Sequence, residues 1–154
     1  MKTYDSPAIA AMVGEAEARY PNEGCGLLFA SPQGPLRVQP MANVLDRYHA
    51  RLPDRFPRTS AQGYLIDPLA QMQALEEAAR QGESLQAIFH SHVEVGAYFS
   101  DEDRALAFGP EGDPLFPNVE YVVLSVRSGR CDGLKAYELG TDGAVREQTL
   151  ALFA

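Results

Sequence analysis

Two histidines, His90 and His92, stand one residue apart directly after the apolar segment 87–89, Ala-Ile-Phe. The apolar segment predicts a β-strand, on which side chains two positions apart point to the same face. Both imidazoles can therefore reach one point from a single strand end. Any carboxylate that joins them must return to that point from the next element of the chain.

A carboxylate at a suitable distance follows: Asp103 lies eleven residues after His92, and Ser100 lies three before Asp103. Two imidazoles and one carboxylate are a common protein ligand set for catalytic zinc, with the fourth position left for water. An isolated pair of strand-end histidines would more often only form hydrogen bonds. Ser100 and Asp103 also match a capping box at a helix start, with Asp in place of Glu or Gln. The two roles are compatible, because a helix start fixes the direction of the carboxylate.

The full spacing resembles that of the JAMM (MPN+) metallopeptidases, also called the Mov34/MPN/PAD-1 or JAB domain, of the small bacterial type. The family pattern adds an upstream Glu, which matches Glu23 at the start of the apolar segment 24–30. Helix, Glu-bearing strand, helix and histidine strand also come in the family's order. The resemblance implies an α/β (α+β) fold of cytidine-deaminase-like JAMM/MPN architecture, in which helices flank a curved mixed, mostly antiparallel sheet.

The resemblance also implies a role for each residue of the pattern. His90, His92 and Asp103 would hold one Zn²⁺ per chain. Glu23 would be no ligand, but would hold the reacting water and pass its proton to the leaving amine. Ser100 would donate to the oxygen that becomes negative in the tetrahedral intermediate. Nearby carboxylates compete with Asp103 for the ligand role, but do not keep the family's spacing: Glu94, Asp101 and Glu102.

Simpler interpretations stand beside these roles. Glu23 could be an exposed residue after a helix-ending turn, and Ser100 could be an N-cap alone. Ser91 points to the opposite strand face and is interpreted as structural. The remaining residues near the pattern are interpreted as follows: Cys25 as a small buried strand residue that could also touch substrate, His49 as a surface residue, and Tyr98 and Phe99 as core or as a cleft wall. Val93 follows the second histidine where many bacterial relatives have Pro.

Length and charge limit the classes of protein. The 154 residues predict one domain, 1–154, and the net charge of −8 makes nucleic acid an unfavourable partner. The segment 1–5 lacks the apolar run of a signal peptide, and no run approaches the roughly 18 apolar residues that span a membrane. We therefore expect a cytoplasmic protein that uses no membrane, with both cysteines reduced.

Periodicity and turn residues predict the elements. Helices are expected at 6–20, capped by Ser6, at 67–81, with Leu69, Met72, Leu75 and Ala79 on one face, and at 100–108. Strands are expected at 24–30, 36–41, 63–66, 84–90, 119–126, 134–138 and 144–150. The segment 43–62 is expected to be a loop with a short helical piece.

The resemblance implies a zinc-dependent peptidase or isopeptidase. Its relatives cleave after the C-terminal Gly-Gly of ubiquitin-like proteins, including sulfur carriers, so such a carrier is the expected substrate and partner. Two alternatives stay open: a scaffold without catalysis, as in relatives that lack the ligands, and a zinc hydrolase of a small amide metabolite. The oligomeric state does not follow from the sequence.

Overall fold

Four α-helices and six strands make up the part of the protein that the computed structural model describes, residues 1–152. In chain order they are α1 (Ser6–Arg19), β1 (Cys25–Ala30), β2 (Arg37–Met41), α2 (Leu45–Arg51), α3 (Pro68–Arg80), β3 (Ser84–Val93), α4 (Asp101–Ala107), β4 (Glu120–Arg127), β5 (Arg130–Leu139) and β6 (Val145–Leu150). Phe153 and Ala154, the end of the predicted domain 1–154, lie outside the described residues.

The strands form one open sheet in the order β2-β1-β3-β4-β5-β6. Only β3 and β4 pair in parallel, and every other pair in the sheet is antiparallel. The predicted class, a mixed and mostly antiparallel sheet with flanking helices, is confirmed. The histidine strand β3 lies inside the sheet, where His90 is opposite Cys25 of β1 and Val123 of β4.

Helices cover both faces of the sheet. Alternate strand residues point to opposite faces, so Ile88 packs in one core cluster and its neighbour Phe89 in the other. The α1 face buries Ala8, Ile9, Met12 and Ala16 of the helix against strand residues that include Leu28, Val122 and Leu124. The other face buries Ala74 and Ala78 of α3 and Ala107 of α4 against strand residues that include Leu27, Phe29 and Val123.

Helix starts follow from capping side chains. The prediction that Ser6 caps α1 is wrong, since the Asp5 carboxylate accepts from the Ala8 backbone N–H at 2.9 Å. Ser6 and Pro7 then occupy the first turn, where the missing N–H of proline costs nothing. Asp67 caps α3 in the same way, by accepting from the Ala70 N–H at 3.0 Å.

Two other expectations need correction. The face predicted for α3 is right only for Leu75, which packs against the core: Leu69, Met72 and Ala79 are exposed, whereas Ala74 and Ala78 are buried against the sheet. Small alanines let the helix approach the sheet closely, and this packing overrides the larger apolar residues. The segment 63–66 is not a strand of the sheet, because its Ile66 forms only an isolated bridge with Asn43.

None of the helices in the described part of the chain is both long enough and apolar enough to cross a membrane.

Candidate metal centre and active-site cleft

The end of β3 presents both imidazoles on one face of the sheet. His90 and His92 share the face of Ile88, and their Nε2 atoms are 3.2 Å apart. His90 is fully buried and His92 is 5% exposed. The prediction that a single strand brings the two rings to one point is confirmed in its geometry.

The start of α4 supplies the carboxylate. The Ser100 hydroxyl accepts from the Asp103 N–H at 3.0 Å, and the Asp103 carboxylate accepts from the Ser100 N–H at 2.9 Å, so the capping box is complete. This fixes the Asp103 side chain, whose two oxygens lie 2.9 Å from His90 Nε2 and 3.1 Å from His92 Nε2. The structure thus brings His90, His92, Ser100 and Asp103 together.

A backbone carbonyl sets the protonation of His92. Nδ1 of His92 lies 2.9 Å from the carbonyl oxygen of Gly96, which can only accept a hydrogen bond. Nδ1 must therefore carry a proton, and in the neutral ring the lone pair is on Nε2. That lone pair points at the Asp103 carboxylate, which is repulsive unless a cation lies between them. The arrangement therefore calls for a positive centre, either a proton or a metal ion.

The ring of His90 is oriented by packing. The ring of Tyr64 stacks on it with centroids 4.2 Å apart, and Nδ1 of His90 is buried without a protein hydrogen-bond partner among the described residues. Tyr64 is a site residue that the sequence analysis missed. Its short apolar segment, 63–66, is typical of core, and no spacing rule connects it to His90.

The pKa values follow the same charge pattern. Burial lowers the pKa of His90. Burial also opposes the charged form of His92, but the hydrogen bond and charge of Asp103 outweigh it and raise the pKa of His92. For Asp103 burial acts upward, yet the two imidazoles hold the pKa of its carboxyl group far below the ordinary range. The site therefore keeps an ionised carboxylate beside a cationic position.

Glu23 lies beside this centre, immediately before β1. One of its carboxylate oxygens is within 4.8 Å of a ring nitrogen of each histidine, and its side chain is buried. Glu23, His90 and His92 could by themselves hold a metal ion, but Asp103 has the direct contacts to both rings, at 2.9 and 3.1 Å. A carboxylate placed like that of Glu23 can meet the centre through one water molecule. The alternative that Glu23 is an exposed surface residue is wrong.

Hydrogen bonds hold the backbone around Glu23 in place. Its N–H donates to the Ser60 carbonyl at 2.7 Å, and its carbonyl accepts from the Asn43 side-chain amide at 3.0 Å. The next N–H, of Gly24, donates to the Ser91 hydroxyl at 2.8 Å, which supports the structural interpretation of Ser91. Burial raises the pKa of the Glu23 carboxyl group to about 8, with a smaller upward contribution from Asp103 and downward contributions from His92 and Arg58.

A cleft of about 710 Å³ opens onto these residues. Its walls come from the segment 55–65, from the end of β3 and from α4. Three exposed apolar side chains line this cleft, namely Val95, Tyr98 and Leu106. The cleft therefore offers an apolar trough that leads to Glu23, His92 and Asp103.

The other residues singled out near the histidines differ in their exposure to the cleft. Tyr98 is half exposed in the cleft wall and meets the His92 ring edge-on, whereas Phe99 packs against Tyr121 and Tyr137. Cys25 is fully buried, so it cannot touch a substrate in this structure. His49 is half-buried, and its Nδ1 lies 2.7 Å from the Phe56 carbonyl oxygen, which corrects the expectation of a surface residue.

The competing carboxylates have other partners. Glu94 accepts from the Tyr20 hydroxyl and the Ser128 N–H, and Glu102 accepts from Arg58. Asp101 is exposed in the first turn of α4. Within the described part of the chain, none of these three carboxylates contacts an imidazole nitrogen of His90 or His92.

The donor set fits a zinc ion. Four ligands at about 2.0 Å in a tetrahedron are separated from each other by about 3.3 Å. The Nε2 atoms of His90 and His92 are 3.2 Å apart, one Asp103 oxygen is 2.9 Å from His90 Nε2, and the other is 3.1 Å from His92 Nε2. Neutral imidazoles and an ionised carboxylate are the protonation states that such an ion requires, and His92 is already held in the correct tautomer.

Comparison with known families agrees with this fold. Residues 5–139 match the family described as prokaryotic homologs of the JAB domain, and the chain belongs to that family.

Particular relatives and solved structures are similar over almost the whole chain. Proteins of Mycobacterium bovis and Mycobacterium tuberculosis described as CysO-cysteine peptidase are 30% identical over 140 residues, which is 91% of this chain and 83% of theirs. The solution structure of a Desulfitobacterium hafniense protein matches with a TM-score of 0.66 and 25% identity, over 96% of this chain and 90% of that one. A Salinibacter ruber protein matches with a TM-score of 0.57 and 28% identity, over 99% and 90% of the two chains.

Proposed function

We propose that this protein is a zinc-dependent peptidase or isopeptidase that hydrolyses an amide bond after the C-terminal Gly-Gly of a ubiquitin-like or sulfur-carrier protein. The observation that carries the proposal is the placement of His90, His92 and Asp103. Their ligand atoms lie 2.9 to 3.2 Å apart, with the His92 lone pair aimed at a position that needs a cation.

In this proposal His90, His92 and Asp103 hold Zn²⁺, which when bound lowers the pKa of a water molecule to about 7 and polarises the carbonyl of the substrate. Glu23 accepts the proton of the attacking water and delivers it to the leaving nitrogen. Its burial suits this role, because a carboxylate with a raised pKa is a stronger base than an exposed one.

We propose that Ser100 stabilises the developing oxyanion. Its oxygen already accepts from the Asp103 N–H, so the hydroxyl hydrogen remains available to donate. Ser100 also lines the cleft beside His92 and Asp103. A single donor of this kind changes kcat by roughly a hundredfold to a thousandfold in other enzymes.

The substrate part of the proposal is supported by the relatives and by the cleft. The mycobacterial relatives are described as CysO-cysteine peptidase, that is, as peptidases of a CysO conjugate. An extended carrier tail would lie in the cleft with its bulkier residues against Val95, Tyr98 and Leu106.

We propose that residues 1–154 act as a single domain in the cytoplasm.

A cleavage assay tests this function. A sulfur-carrier protein that ends in Gly-Gly followed by one amino acid is incubated with the zinc-loaded protein, and mass spectrometry follows release of that amino acid. We expect cleavage after the second glycine and much slower cleavage of free dipeptides. Equal rates on free dipeptides would favour a hydrolase of small amides. No cleavage of either substrate by the zinc-loaded protein would favour a scaffold.

A further inference from the structure

An ion pair crosses the cleft beside the metal centre. Arg58, from the segment that follows α2, reaches the first turn of α4, where its Nη2 is 2.6 Å from a carboxylate oxygen of Glu102. Both side chains line the same cleft as Glu23, His92 and Asp103. Arg58 thus joins the two walls of the cleft that holds the proposed reacting groups.

The guanidinium group of Arg58 could bind another carboxylate through more hydrogen bonds than it makes with Glu102. Glu102 is contacted by a single nitrogen of the guanidinium group, and the second amino group of Arg58 makes only a long contact of 3.4 Å to the Gln62 carbonyl. A guanidinium group binds a carboxylate best through two parallel hydrogen bonds. Arg58 and Glu102 are also about half exposed, and exposed pairs of this kind are easily exchanged.

Arg58 also lines the same cleft as Glu23, the proposed general base. Its positive charge favours the ionised form of the Glu23 carboxyl group, although burial has the larger effect and raises the pKa of that group. Glu23 is the group that delivers a proton to the leaving nitrogen. When the released group is one amino acid, its α-carboxylate is only one residue, about 3.5 Å of chain, from that nitrogen.

We propose that Arg58 binds the α-carboxylate of the amino acid that the peptidase releases, and that Glu102 occupies Arg58 until this carboxylate displaces it. This inference rests on the proposed function, and it defines the substrate class as carriers whose tail bears a single C-terminal amino acid. A lysine isopeptide has no free carboxylate at this position.

Binding measurements test the proposal without turnover. A fluorescein-labelled peptide that ends in Gly-Gly-Ala is titrated with the zinc-loaded Glu23→Gln variant, once with a free α-carboxylate and once with an α-carboxamide. We expect the acid to bind about tenfold more tightly, the gain of one charge-assisted hydrogen-bonded pair. The net charge of −8 repels the acid in general, so a preference for the acid requires a local receptor.

Variants in the same background identify that receptor. Arg58→Gln should remove the preference for the acid, whereas Arg51→Gln, the same charge change on an exposed residue of α2 outside the cleft, should keep it. Glu102→Gln should increase the preference, because Arg58 loses its competitor. Its matched control is Asp101→Asn, one residue away on the same helix and outside the cleft lining. This control should leave the preference for the acid unchanged.

Equal binding of acid and amide, no binding of either peptide, or a preference that survives Arg58→Gln would each overturn the proposal. Failure of the Arg58 proposal and failure of the peptidase proposal are distinguished by assaying cleavage with the wild-type protein. If both peptides bind equally well and the wild-type protein cleaves both, Arg58 has no such role but the peptidase function stands. A carboxylate preference without any cleavage would support the role of Arg58 and contradict the peptidase function.

Discussion

At the scale of single residues, one backbone carbonyl prepares the site for a cation. The Gly96 oxygen fixes a proton on Nδ1 of His92, so the opposite nitrogen must face Asp103 either as a lone pair or as a second N–H. Asp103 cannot turn away, because the same carboxylate closes the capping box of α4. The chain therefore holds the proposed ligand atoms of His92 and Asp103 close together without an ion, at the expense of local charge repulsion.

Glu23→Gln tests the division of labour at this scale. The amide keeps the size of the side chain but cannot accept the proton of the attacking water. We expect kcat to fall by about a hundredfold to ten-thousandfold, the usual contribution of a general base, with zinc retained at one ion per chain. Cleavage kinetics and metal analysis of the same preparation measure both quantities. Loss of the zinc together with activity would mean that Glu23 is a ligand.

Ser100 caps α4 in the structure and has a proposed catalytic role, and substitutions can tell the two apart. Ser100→Ala removes both the N-cap and the hydroxyl donor, so we expect a loss of about 1 kcal/mol in unfolding free energy and a fall in kcat of roughly a hundredfold or more. Ser100→Thr keeps a capping hydroxyl and should retain most of the stability and of the activity. If Ser100→Ala lost stability but kept its kcat, Ser100 would be an N-cap alone.

Much of the site could be predicted from the sequence at this scale, because its spacing reflects simple geometry. Two histidines on one strand face and a carboxylate fixed by a capping box lie where the pattern predicts. Tyr64 and Gly96 could not be predicted. Tyr64 reaches His90 by stacking from a different segment, and Gly96 acts through a backbone atom that its residue type does not reveal.

At the scale of elements, Asn43 joins the segments that carry the cleft. Its side-chain amide donates to the carbonyls of Glu23 and Gly63 at 3.0 Å each, and its oxygen accepts from the N–H groups of Leu45 and Leu65 at 3.2 and 3.1 Å. All the hydrogen-bonding positions of this side chain are used. The turn before β1, the start of α2 and the cleft wall are therefore held by one residue.

Asn43→Ala should accordingly affect both stability and catalysis. Buried backbone groups left without partners cost about 1–3 kcal/mol each, so we expect a clear loss of unfolding free energy, measured by denaturant titration. Because Glu23 loses one of its anchors, kcat should fall more than KM rises. Asn22→Ala, on an exposed asparagine nearby, is the control and should leave both unchanged. A stability loss with normal kcat would show that Glu23 is positioned without Asn43.

The packing of α3 gives a second prediction for an element. Met72→Gln should change the unfolding free energy by less than about 0.5 kcal/mol, because Met72 is exposed. Ala78→Leu should cost about 1–3 kcal/mol, since Ala78 is 1% exposed against the sheet and a larger side chain overpacks the contact. Thermal melts of both variants measure this. The reverse order would restore the face predicted from the sequence.

The wrong face of α3 shows where sequence patterns fail. Large apolar residues usually mark the buried side of a helix, and Leu69 and Met72 suggested that side. In the structure Ala74 and Ala78, which a hydrophobic pattern ranks lower, are instead the residues of α3 buried against the sheet. Strand and helix order was predictable because it depends on local periodicity and turns, whereas the depth of packing depends on partners far away in the chain.

At the scale of the whole molecule, the fold gathers a site from three distant parts of the chain. Glu23 precedes β1, the histidines end β3, and Asp103 begins α4. Pairing of β1 with β3 places Cys25 opposite His90, and hence brings Glu23 to the histidines. Metal removal should therefore loosen contacts across the molecule and lower the melting temperature, which should recover when zinc is added back.

Zinc content is the most direct test of the central claim, that His90, His92 and Asp103 form the metal centre. Untagged wild-type protein and the Asp103→Ala variant are loaded with zinc, dialysed and analysed for metal and protein in parallel, with Asp101→Asn as the control for loss of a neighbouring carboxylate. We expect one zinc per chain in the wild type and in Asp101→Asn, and a strong loss of zinc in Asp103→Ala. Unchanged zinc in Asp103→Ala, or no stoichiometric zinc in the wild type after loading, would contradict it.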